Sequence, residues 1–96
     1  MHDHFVMFRF KPEFKKDLPE VVRQLKGLEK KVPAIRKLQV CVNNVWGPHS
    51  YDLMFYIQVD SEKAFKQDYM LHPDHVPVQK YIEARVAAIA DMDVSA

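Results

Sequence analysis

The chain has a single cysteine, Cys41, among its 96 residues. No disulfide can therefore form within it, and no paired-cysteine metal motif is present. Cys41 lies in a run of β-forming residues and reads as a small buried hydrophobe, since no sequence neighbour would activate the thiol. Also missing are an apolar run long enough to cross a bilayer and the charged-then-apolar start of a secretion signal. No membrane partner and a cytoplasmic location are the resulting expectations. Nor does one sign of charge dominate: fourteen Lys and Arg against thirteen Asp and Glu leave a formal charge of +1. The basic residues gather between Lys15 and Lys37, but Asp17, Glu20 and Glu29 interleave with them. That is the pattern of a solvated helix face, and nucleic acid is not an expected partner.

What remains is globular composition, 48% hydrophobic and 28% charged, with a length suited to one domain over residues 1–96. From His4 to Phe10 the side chains alternate. His4, Val6, Phe8 and Phe10 share one face and Phe5, Met7 and Arg9 the other, so both faces of this strand carry large apolar groups. Asp17-Leu-Pro-Glu20 reads as a helix start, with Asp17 as cap and Glu20 completing a capping-box arrangement. Leu18, Val21, Val22, Leu25 and Leu28 then form a buried stripe, and Gly27 reads as a point of close packing on the sheet. Lys37 to Trp46 and Asp52 to Val59 read as a hairpin about the Gly47-Pro-His-Ser50 turn. A helix follows from Asp60-Ser-Glu62, with Ala64, Phe65 and Tyr69 inward. It is interrupted at Pro73 and resumes with Val78, Tyr81, Ile82 and Val86. Residues from about Ala87 to Val94 supply a last strand.

The order strand, helix, strand, strand, helix, strand predicts an α+β, ferredoxin-like βαββαβ unit with a four-stranded antiparallel sheet and both helices on one face. The other face, with Phe5, Met7, Met54 and Tyr56, is too apolar to leave wet. A second copy is the simplest cover, so the chain is expected to form a two-fold homodimer through that face, closing an α/β barrel.

Four of the five histidines fall in two short segments, His2 with His4 and His72 with His75. In Tyr69-Met-Leu-His-Pro-Asp-His75 two imidazoles and a phenol surround a helix-breaking proline. Imidazole titrates near neutrality, which points to proton transfer, ligand binding or metal capture. His4 alone reads as a core-edge residue or a pocket residue, Tyr69 as a core aromatic whose hydroxyl reaches the surface. His72 precedes Pro73 and suits the helix break. His75 opens the next helix, whose dipole favours a neutral ring. Trp46 reads as a dimer contact and His49 as an exposed turn residue. His72 and His75 have a usable ligand spacing, and His4 could add a third nitrogen, but nothing in the sequence compels a metal or haem.

His4-Phe-Val-Met-Phe-Arg-Phe-Lys11, Val32-Pro-Ala-Ile35, Tyr51-Asp-Leu-Met-Phe55, Tyr69-x-x-His-Pro-x-His75 and a closing Asp91-x-Asp93 together resemble the stress-responsive A/B barrel (Dabb) domain, in order and over nearly the whole chain. The resemblance implies a dimeric α/β barrel. It also implies, as in the family's plant polyketide cyclases, a pocket in which His75 is general base, Tyr69 stands beside it and His4 assists. Two polar pocket positions of those cyclases fall on Leu25 and Leu53 here, which removes part of the cyclase pattern. The resulting expectation is a small organic ligand bound near His72, Leu25, Leu53 and Phe8, with cofactor-free cyclase, isomerase or lyase chemistry. The alternatives are a non-enzymatic stress-associated dimer and a small haem- or metal-dependent oxygenase.

Overall fold

The computed structural model describes residues 1–95. Alternating residues build strand β1 (His2–Phe10), and a 3₁₀ stretch (Pro12–Asp17) leads into helix α1 (Leu18–Lys31). Then come β2 (Lys37–Val42), β3 (Leu53–Val59), the short helix α2 (Glu62–Ala64), a π-helical stretch (Phe65–Tyr69), α3 (Val76–Glu83) and β4 (Val86–Ser95). The strands form one antiparallel sheet in the order β2-β3-β1-β4, the expected ferredoxin-like topology. No helix among the described residues is long and apolar enough to cross a membrane.

The core lies between sheet and helices. Val6, Phe8 and Phe10 of β1 and Leu53, Phe55, Ile57 and Val59 of β3 are buried against Val21, Leu25 and Leu28 of α1, Phe65, Tyr69 and Ile82. Burying each large side chain stabilises the fold by about 1.5–3 kcal/mol relative to leaving it exposed. The opposite face is open in the chain by itself. Phe5, Met7, Met92 and Val94 are exposed there, with Phe5 and Met92 directly paired across β1 and β4.

Four local expectations are corrected. Cys41 is exposed, because β2 is an edge strand and Cys41 alternates onto the open face opposite Met54. Asp17 does not cap α1: the preceding 3₁₀ turns already hold it in helical backbone, and its carboxylate accepts from Arg85 Nε at 3.1 Å. Glu20, meant to complete the box, is bonded to Arg23 instead. Gly27 packs on nothing, since a Cβ there would meet no atom within 4 Å. The hairpin's first strand ends at Val42, ahead of Trp46, whose indole N–H donates to buried Asp52 at 3.1 Å. That carboxylate also accepts from the Phe10 amide at 2.8 Å, an anchor between the hairpin loop and β1 that pattern reading missed.

Candidate functional site

Ser61 caps α2 by accepting from the Ala64 amide at 3.0 Å. The helix then widens: the Met70 amide bonds back five residues to the Phe65 carbonyl, 3.0 Å away. A wide turn of this kind is a frequent accompaniment of functional sites. The chain leaves the helix over Met70–His75, where Pro73 cannot donate to a helical ladder, and re-enters it at Val76. The result sets the Tyr69 and His75 rings against each other at a tilt of 41°, 4.2 Å between centroids, both buried.

These two side chains line a cavity of about 270 Å³ between β1, β4, α1 and α3. Its inner wall is apolar, from Val6, Phe8, Leu25, Phe55 and Ile82, and its polar groups are His4, Tyr69, His75, Gln79, Glu83 and Asp91. His75 Nδ1 lies 3.1 Å from the Met70 carbonyl. A carbonyl only accepts, so Nδ1 carries the proton and Nε2 keeps its lone pair. Neither that Nε2 nor the Tyr69 hydroxyl has a hydrogen-bond partner among the described residues, and no fully buried side-chain nitrogen or oxygen there is left unpaired. Both atoms therefore reach the open space of the cavity. Burial lowers the His75 pKa below its ordinary value against the opposing pull of the Met70 bond, with His4 and His72 adding to the depression. Burial also pushes the Tyr69 phenol well up. At neutral pH the site thus holds a neutral imidazole and a protonated phenol.

The His4 ring sits on the helix-facing side of β1, tilted against Phe65 with 4.7 Å between centroids, and its Nδ1 donates to Asp93 Oδ1 at 2.8 Å. His2 donates to the same oxygen through Nε2 at 2.9 Å, while its Nδ1 pairs with Ser95 Oγ. Burial alone would raise the Asp93 pKa, but the two imidazole bonds outweigh it and hold the carboxyl below its usual range.

The family model of the stress-responsive A/B barrel domain matches residues 3–96. The chain belongs to that family. No curated protein matches this Dabb domain by sequence. Among solved structures it superposes on a dimeric ferredoxin-like protein of unknown function from Thermobifida fusca with a TM-score of 0.87, at 20% identity over 99% of this chain and 90% of that one. A protein from Arabidopsis thaliana gives 0.85 at 14% identity, covering 100% and 95%. A hydroxynitrile lyase from Passiflora edulis gives 0.82 at 14% identity, covering 97% and 90%. At these identities the likeness establishes the fold.

Within the Dabb domain, the residues expected at the site divide. His4, Tyr69, His75, Phe8 and Leu25 meet in the cavity. His72 does not line it: its Nδ1 accepts from the Asp74 amide at 3.0 Å, serving the turn. Leu53 is packed in the core away from the cavity, and Trp46 and His49 sit in the exposed hairpin loop. Sequence reading did not find the pairing of Asp93 with His2 and His4. Its one trace was the alternation of Asp91 and Asp93 along β4, which puts both on the face that His4 occupies. No group of three or more His, Cys, Asp or Glu among the described residues is arranged to hold a metal ion.

Proposed function

We propose that this Dabb domain binds a small organic molecule in the cavity between sheet and helices and performs cofactor-free acid–base chemistry on it, of the cyclase, isomerase or lyase type. The observation that carries this reading is the bond from His75 Nδ1 to the Met70 carbonyl, which fixes the tautomer and leaves Nε2 as a base open to the cavity. A base must be unprotonated at working pH, and the lowered His75 pKa meets that condition. Nε2 takes a proton from a carbon beside a carbonyl, or from a hydroxyl. The Tyr69 hydroxyl, kept protonated by burial, donates to the oxygen on which negative charge develops. His4, held in one tautomer by Asp93, presents its own Nε2 as the assisting group. The likeness in fold to a hydroxynitrile lyase supports a lyase among the candidate reactions.

The same reading includes a homodimer through the open sheet face. Exposed Phe5, Met7 and Met92 supply the apolar patch, and the similar Thermobifida fusca protein is dimeric. Light scattering should give twice the 11.3 kDa chain mass, and Phe5→Glu should return the monomer. A monomeric wild type would remove this part of the reading.

Turnover is tested with a panel of β-keto compounds, aromatic polyketides and cyanohydrins, comparing wild type with His75→Gln. General-base catalysis contributes about 10²–10⁴-fold, so turnover should fall by that factor while the fold persists. A substrate turned over equally by both proteins would discard His75 as the base. Ligand binding with no turnover in either would reduce the reading to a binding dimer.

A further inference from the structure

The lining of the cavity contains no lysine or arginine, yet two carboxylates stand in it, Glu83 and Asp91. Both side chains belong to exposed residues, so they occupy its mouth, with the apolar wall and the His75–Tyr69 pair further in. Neither has an ion pair or hydrogen bond among the described residues. Arg85, the cation nearest Glu83 in sequence, is committed elsewhere. It donates to Asp17 and to the Tyr81 carbonyl, and its guanidinium lies 3.6 Å over the Tyr81 ring.

Folding gives no reason for either charge. Glu83 is the last residue of α3, at the end where the helix dipole disfavours an anion. Asp91 is a poor β-former placed beside Val6, on a strand whose preceding same-face residue is Ile89. Two unpaired anions at one opening, with no lysine or arginine in the lining, create a negative potential that any entering molecule must cross.

From this mouth we infer a substrate class: the cavity admits an uncharged organic molecule, apolar for most of its length with a hydroxyl or carbonyl at its inner end, and excludes carboxylates and phosphates. The inference rests on the reading that His75 Nε2 faces an open ligand cavity. A negatively charged ligand would find no countercharge inside and would pass two carboxylates within a Debye length. An uncharged one gives up little on entering and meets the phenol and the two imidazoles.

A matched pair of alkylating reagents tests this without a known substrate. Iodoacetamide is neutral and iodoacetate anionic, they are of similar size, and each alkylates an imidazole nitrogen with loss of iodide. Peptide mapping by mass spectrometry at low ionic strength gives the rate ratio, neutral over anionic, for each histidine separately. Exposed His49, in the hairpin loop away from the cavity, is the internal reference. The ratio at His75 should exceed that at His49 by on the order of tenfold, from two like charges acting across a partly screened opening. In Glu83→Gln/Asp91→Asn the His75 ratio should fall to that of His49. Equal ratios at His75 and His49 in the wild type overturn the exclusion of anions and leave the acid–base reading standing. Failure of both reagents to modify His75, while His49 reacts with each, shows the cavity closed and overturns both.

Discussion

Two histidine settings meet at one cavity, one on its helical side and one on its sheet side, and they are built by different means. His75 is local. A wide helical turn, a proline break and a helix restart place it against Tyr69, and a backbone carbonyl five residues back fixes its proton. His4 is set by the sheet register, which puts Asp93 directly opposite it on β4, and the carboxylate also takes His2. At one end burial lowers the imidazole pKa against the pull of a neutral acceptor, whereas at the other two imidazoles stabilise an anion. The comparison teaches that a histidine's chemistry follows from what holds its second nitrogen, and that the two ends can be perturbed separately.

Phe65 packs against both. Its ring lies 4.9 Å from His2, 4.7 Å from His4 and 5.7 Å from Tyr69. Phe65→Ala should remove about 3–5 kcal/mol in denaturant melts, the range for deleting a buried phenyl group. It should loosen both settings at once. A loss below about 1 kcal/mol would mean that the two ends stand independently, and that the shared ring is not a structural tie.

Asp93→Asn acts directly on the sheet-borne end. Bonds to a charged acceptor contribute about 1.5–3 kcal/mol, but the Asp93 side chain is 38% exposed and solvent screens part of that, so a loss of about 1 kcal/mol at pH 7 is expected. The folded-state pKa of Asp93 lies below its ordinary value. Its contribution is therefore present above the unfolded carboxylate pKa and disappears as pH falls through the folded one. The stability gap between wild type and variant should close on acidification through the carboxylate range. A gap that stayed constant to low pH would show that the effect is not electrostatic.

These two ends were not equally visible in the sequence. Tyr69-x-x-His72-Pro-x-His75 is a local string whose helix break can be read from Pro73, so the His75 end was legible. Asp93 stands 89 residues from His4, and only the β1–β4 register brings them together. The strands and their order were legible because alternation with apolar residues on both faces demands a covered sheet. Burial of individual strand residues was not, since it depends on strand position. Cys41 on an edge strand and Leu53 on an inner strand look alike in a run of β-formers, yet one is exposed and the other is core. Asp17 failed as a cap for a related reason: the 3₁₀ turns before it have no distinct periodicity in the sequence.

His75→Gln isolates the local end through pH. Because the folded-state pKa is lowered, the unfolded chain binds a proton first as pH drops below about 6.5, the unperturbed histidine value. Over that window the unfolded state carries more protons, so wild-type stability must fall with falling pH. Chemical denaturation between pH 7.5 and 5.5 should show a shallower slope in His75→Gln than in the wild type. Identical slopes would mean that His75 is as free to protonate in the folded state as in the unfolded one, and the neutral-base reading would lose its electrostatic support.

The smallest effect belongs to the imidazole in neither setting. His49 lies exposed in the hairpin loop and enters no hydrogen bond or ion pair among the described residues. His49→Ala should change stability by no more than about 0.5 kcal/mol, as for a surface site without special contacts. Its value lies in what it separates. If His49→Ala flattened the slope as much as His75→Gln, the pH dependence would be a property of histidine content and of net charge. If only the His75 variant flattens it, the dependence belongs to a ring whose second nitrogen is held by a carbonyl inside an apolar wall.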